Sequence, residues 1–177
     1  MNTDIATEDK IDLFELNPNS KEFIGLATSA FKYKMFLLAK LPMALFAGLR
    51  VDVLEADKCV ISVPYKWLNK NPFNSTYFAV LSMASELSTG LPSRVAIYNA
   101  EKQTSMLVTG LTGSFSKKAK DRTRFVCTDQ QKIYQAVQRT NVSGEWEKAT
   151  LETIGYNPQN EEVARFSYEW SFRTRLK

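Results

Sequence analysis

The stretch Asn71-Pro72-Phe73-Asn74-Ser75-Thr76-Tyr77-Phe78-Ala79-Val80-Leu81-Ser82-Met83-Ala84-Ser85-Glu86-Leu87-Ser88-Thr89-Gly90-Leu91 decides how the chain is read. It opens on a turn-rich patch, and its small and straight-chain residues then predict a helix over about 75–91, ended by Pro92. The helix is apolar on nearly all sides, so it must be covered on most of its circumference. Between Asn71 and Ser93 the only charged residue is Glu86, roughly three turns in, with Ser82 and Gly90 four residues to either side. A carboxylate in such surroundings loses hydration, and it answers with a raised pKa or a specific partner.

Upstream, Ser20 is a fitting N-cap, and Phe23, Ala27, Ala30, Phe31, Met35 and Leu38 share the face of a helix over about 20–41. Pro42 should end or kink it, and Gly48 closes the segment. The period then changes to two, with a strand from Leu49 to Val53, a polar turn, and a second strand from Cys59 to Trp67, together a β-hairpin. Downstream come strands Ser105–Ser116 and Arg122–Thr128, joined by a basic turn into a hairpin. An amphipathic helix Asp129–Thr140 and strands Trp146–Tyr156 and Val163–Thr174 follow. The last strand alternates Phe166, Tyr168, Trp170 and Phe172 against Arg165, Ser167, Glu169, Ser171 and Arg173, one face buried and one wet. The expected fold is α+β, an antiparallel sheet wrapped around a central buried helix, with an added N-terminal helix. Residues 1–19 read as a polar leader and 20–177 as one domain, for 177 residues supply one core.

Composition excludes several chemistries. The chain has no histidine, which removes Ser-His-Asp and Cys-His catalysis and HExxH zinc sites. Cys59 and Cys127 lie far apart in strand-like runs without a CxxC, so buried inert thiols, no metal site and a reducing cytoplasm are expected. The N-terminus has no secretory pattern, and Met35–Leu49 is too short, with Lys40 and Pro42 inside it, to cross a bilayer. Net charge is +4 while residues 1–16 carry Asp4, Glu8, Asp9, Asp12 and Glu15 against Lys10 alone, so the remainder is distinctly basic and suits anionic partners.

Glu86 is the candidate general base or nucleophile. The competing reading is a structural carboxylate, bonded to backbone amides, to Asn71 or Asn74, or paired with Arg94. Asn74, Ser75 and Thr76 are capping residue types, and the amides near Tyr77 and Phe78 could polarise a carbonyl at the positive end of the helix dipole.

The run Asn71 to Ala79, followed by Glu86 and Gly90, resembles the N-x(n)-[GS]-T-x-[FYH]-[AG]…[DE]…G signature that opens the central helix of hot-dog fold thioesterases. The resemblance is nearest to the DUF4442 branch beside the PaaI-like acyl-CoA thioesterases, and Pro42-Met43-Ala44 with Gly48-Leu49-Arg50-Val51 looks like that branch too. It spans roughly residues 35–175 and implies dimers or dimers of dimers that hydrolyse acyl-CoA or another acyl thioester between protomers, without a cofactor. Residue by residue it implies Glu86 as the catalytic acid, the Phe78 amide as carbonyl holder and Asn71, or else Asn74, as the loop asparagine. Asn74, Thr76, Tyr77 and Ser82 then fall to substrate binding. Ser75 stands in the usual glycine position, and Tyr77, Phe78, Ala79 and Val80 replace the histidine or small residue and the glycines of many relatives.

Lys117 and Lys118, in a run of five cations from Lys117 to Arg124, could meet CoA phosphates or simply be solvated. Phe73, Tyr77, Phe78 and Trp67 could line an acyl tunnel or belong to the core. The alternative to hydrolysis is a non-catalytic fatty-acyl or lipid-binding hot-dog protein, motivated by the crowded helix entrance. Membrane-surface contact through residues 23–49, with Lys32, Lys34 and Lys40, is the less favoured use of that segment, since covering a sheet is commoner. Nucleic acid is not an expected partner, because the basic cluster lacks interleaved aromatics. Val163–Thr174, taken as an edge strand, is expected to need a second protomer to cover its ladder.

Overall fold

The computed structural model describes residues 16–100 and 102–175. The chain begins with three helices, α1 (Pro18–Thr28), α2 (Ala30–Lys40) and α3 (Pro42–Ala47). The single N-terminal helix expected from periodicity is broken at Ser29, whose backbone is extended. Its cap is Asn17 rather than Ser20: Asn17 Oδ1 accepts from the Ser20 amide at 2.9 Å with Pro18 in the first turn. Ser20 is instead buried, and its hydroxyl donates to the Val95 carbonyl at 3.1 Å. Pro42 starts α3, and Gly48 ends it with φ at +79°, the left-handed value glycine tolerates.

Strands β1 (Arg50–Leu54) and β2 (Cys59–Val63) form the expected hairpin. β2 stops at Val63 rather than Trp67 because Pro64 has no amide for the ladder, and the chain turns through a 3-10 segment, Trp67–Asn69. The central helix α4 (Phe78–Asn99) starts later and ends later than expected. Pro92 lies inside it. The proline removes one intrahelical hydrogen bond, but α1 grips the helix beyond it, through Ser20 to the Val95 carbonyl and Asn17 Nδ2 to the Tyr98 carbonyl at 2.8 Å.

After α4 come β3 (Thr104–Phe115), β4 (Thr123–Cys127), α5 (Gln130–Ser143), β5 (Glu147–Tyr156) and β6 (Glu162–Thr174). One antiparallel sheet has the order β1-β2-β4-β5-β6-β3. Two expectations are corrected here. β3 and β4 are not a hairpin, since β3 pairs with β6 while β4 pairs with β2 and β5, so the basic run Lys117–Arg122 is a crossing loop. β6 is internal, and the open edges are β1 and β3.

The aromatic face of β6 is buried as expected, and Phe166, Tyr168, Trp170 and Phe172 belong to the core around α4. Small hydroxyls let the helix approach the sheet closely. Ser85 meets the Tyr168 hydroxyl at 2.6 Å, Ser88 meets Thr153 Oγ1 at 2.7 Å, and Trp170 Nε1 donates to Thr89 Oγ1 at 3.0 Å. This sheet wrapped on a long helix, with helices added at the N-terminus, is the α+β hot-dog architecture expected from the sequence.

Candidate functional site

The loop before α4 is built by its own asparagines. Asn71 Oδ1 accepts from the Phe73 amide at 3.0 Å and from the Ser75 amide and hydroxyl at 3.2 Å each, and Asn74 takes the left-handed conformation at φ +57°. Thr76 is buried, and both its amide and its hydroxyl donate to the Ala119 carbonyl, at 2.7 and 3.1 Å. That pins the basic crossing loop beside the helix entrance.

The expected capping residues do not cap α4. Tyr77 occupies the N-cap without a side-chain hydrogen bond, and the first amide of the helix to find a backbone acceptor by turning back is that of Val80, on Tyr77. The Phe78 and Ala79 amides therefore project from the positive end of a 22-residue helix. A cleft of about 710 Å³ lies in front of them, lined by Asn71, Phe73, Tyr77, Phe78 and Leu81 on one side and by Phe115, Lys117 and Lys118 on the other. The Tyr77 and Phe78 rings pack edge to face at 4.9 Å and form part of its wall. Lys117 is paired with Glu161 at 2.6 Å, while Lys118 Nζ reaches the Phe73 carbonyl at 3.4 Å and Lys70 joins the lining.

Of the residues singled out from sequence, Asn71, Thr76, Tyr77, Phe78, Lys117 and Lys118 meet at this cleft. Asn74 and Ser82 do not line it; Ser82 Oγ donates back to the Phe78 carbonyl at 3.1 Å. Glu86 does not line it either. Eight residues at 1.5 Å rise place it about 12 Å along the helix from the Phe78 amide.

Glu86 is half-buried, and that burial pushes its carboxyl up to about 7. None of the structural partners weighed from sequence holds it: among the described residues its side chain makes no hydrogen bond, and Arg94 lies over the Tyr98 ring instead. Gly90 leaves room for it, since a Cβ there would stand 3.0 Å from Glu86 Oε1 and 3.4 Å from the Trp170 ring.

Two tyrosines stand near Glu86, a proximity the sequence reading did not contain, although it placed Tyr168 on the buried face of the last strand. Tyr33 of α2 is 4% exposed, and among the described residues its hydroxyl has no partner. Burial raises its pKa, and the charges of Cys59 and Glu86 add to that. Tyr168 is pushed up to about 12, first by burial, and also feels Glu86. That proximity had no sequence signal, because it depends on how α2 and β6 dock. Cys59 and Cys127 are buried free thiols that stand opposite each other on β2 and β4, and burial raises both.

No protein-family model and no curated protein sequence matches the chain. Solved structures do. A Pseudomonas aeruginosa protein of unknown function, described as a probable thioesterase, aligns with a TM-score of 0.69 at 22% identity over 85% of this chain and 100% of its own. A thioesterase from Haemophilus influenzae aligns at 0.61 and 10% identity, covering 86% of this chain and 97% of its own. The E. coli PaaI protein of the phenylacetic acid degradation operon aligns at 0.54 and 10% identity, over 86% and 96%. At these identities the likeness is one of fold.

Proposed function

We propose that the chain is an acyl-thioester hydrolase acting on acyl-CoA or a related thioester, with Glu86 as general base or nucleophile and the Phe78 amide holding the carbonyl oxygen. The observation that carries the reading is the pairing of a half-buried carboxylate, without a hydrogen bond among the described residues, with an uncapped helix end that opens on a partly apolar cleft. Thioesterase descriptions of the Pseudomonas aeruginosa and Haemophilus influenzae neighbours, and the DUF4442-like residues 42–51 and 71–90, support the same class.

A reacting carbonyl must sit about 3 Å from both its oxyanion donor and its nucleophile, which two groups about 12 Å apart on one helix do not allow. A second protomer, its α4 running antiparallel beside the first, would set Glu86 of one chain against the Phe78 amide of the other. Edge strand β3 supports such a pairing, with an unpaired ladder and with Leu111 and Phe115 about half exposed. In the hydrolytic step Glu86 takes a proton from water as the water oxygen bonds to the acyl carbon. The C–S bond then breaks, and the thiolate leaves and is protonated. Asn71, whose Oδ1 is committed to its own turn, has only Nδ2 left to orient water or the thioester. The route with Glu86 as nucleophile would instead form a mixed anhydride that water cleaves.

The test is turnover of medium- and long-chain acyl-CoA by wild type and Glu86→Gln of equal oligomeric state. A loss of roughly 100-fold or more in kcat/KM is expected. Equal turnover in the two proteins would sink the mechanism. Bound fatty acid without turnover in the wild type would establish the non-catalytic acyl-binding alternative.

A further inference from the structure

α2 is apolar on two opposite faces. Tyr33 and Leu37 point into the core, 4% and 1% exposed, while Phe31, Met35 and Leu38, spaced four and three residues apart, form a stripe on the far side that is 75%, 50% and 52% exposed. Lys32 and Lys34 flank this stripe on its two shoulders, and both are exposed. α3 packs against α2 and adds exposed Met43 and Phe46. It also packs against the 3-10 turn, which Asn69 Nδ2 ties to the Ala47 carbonyl at 2.8 Å, and there Trp67 is 76% exposed. Three elements in contact, α2 with α3 and α3 with the 3-10 turn, thus leave large side chains uncovered, although each buries other residues well.

The charges carried by these segments themselves have one sign. No acidic residue occurs from Phe23 to Val51 or from Lys58 to Ser85, whereas Lys32, Lys34, Lys40, Lys66 and Lys70 fall within those stretches. Large apolar side chains bracketed by exposed lysines, with no acid among them, match the boundary between headgroups and acyl chains of an anionic bilayer. No helix among the described residues is long and apolar enough to cross a membrane, so the contact would be peripheral. A second copy of this all-cationic surface would meet like charge.

We infer that the α2–α3 face, extended by Trp67, docks the protein onto an anionic lipid surface. The patch runs directly into the cleft rim, because the Trp67–Asn69 turn continues into Lys70–Phe73, which line the cleft. Docking would therefore set the cleft mouth at the membrane surface, where long acyl chains reside. The inference does not depend on hydrolysis.

The experiment is vesicle flotation of the full chain with phosphatidylcholine alone and with phosphatidylcholine containing phosphatidylglycerol. Phe31→Ser/Met35→Ser, Lys32→Glu/Lys34→Glu and Glu86→Gln variants are run alongside, each checked by gel filtration. Binding is expected only with the anionic vesicles, falling roughly tenfold or more in both double variants and with added salt, and unchanged in Glu86→Gln. Absence of binding by the wild type to anionic vesicles would overturn the inference, including the case in which the acidic leader occupies the patch. So would retention of binding by both double variants. A smaller oligomer for Phe31→Ser/Met35→Ser, without any wild-type vesicle binding, would assign the face to contacts between copies.

Discussion

At the residue scale, Glu86 links stability to pH. Its carboxyl is raised by burial from 4.5 to about 7, so the native state binds a proton that the unfolded chain has already released. Stability then falls as pH rises between those values and stays lower above them, by roughly 3 kcal/mol for that span. Urea unfolding at about pH 4.5 and about pH 8 should show this loss in wild type, and Glu86→Gln should be nearly free of it. If Glu86 acts as base, hydrolysis should rise with pH through about 7. Tyr33 offers the opposite lesson. Its hydroxyl is buried without a partner among the described residues, so Tyr33→Phe should be neutral or stabilising by up to about 1 kcal/mol, measured by denaturant midpoint. A loss of 2 kcal/mol or more would mean that the hydroxyl has a partner, such as Glu86 or a bound water. Glu86 stood out in the sequence because it is a lone charge in an apolar helix; Tyr33 did not, because the face read there was that of Phe31, Met35 and Leu38, the side of α2 that is exposed.

At the element scale, local pattern served best where neighbours in sequence are neighbours in space. The β1/β2 hairpin, the strands β5 and β6 and the buried face of β6 follow from alternation alone. The expectation failed for β3 and β4, where a short basic turn suggested a hairpin and the chain instead crosses to the other half of the sheet. It also failed at Pro92, where contacts from α1 and burial of the proline outweigh one missing hydrogen bond. Close packing of strands on rings sets a further constraint. A Cβ at Gly155 would stand 2.6 Å from the fully buried Phe125 ring. Gly155→Ala should therefore destabilise by about 1–3 kcal/mol, seen as a lower urea midpoint at unchanged slope. An unchanged midpoint would mean that the ring moves aside freely.

At the scale of the whole molecule, β3 is one of the two open edges of the sheet, and a copy adding there would continue it. The wild type should elute as a dimer or larger, and Leu111→Lys/Phe115→Lys should shift it toward monomer and abolish thioester turnover. A monomeric wild type with full turnover would contradict the shared site. What the sequence determined by itself was the α+β class, the buried helix, its single carboxylate and the turn that precedes it, all set by short-range periodicity, capping chemistry and the cost of burying charge. Only the tertiary structure decided which strand is left at the edge, that Glu86 and the Phe78 amide are too far apart to serve one substrate in one chain, and that α2 keeps a second apolar face in solvent. Those depend on strand order and on the docking of distant elements, and no local pattern encodes either: a helix apolar on two sides reads the same whether one or both of them are covered.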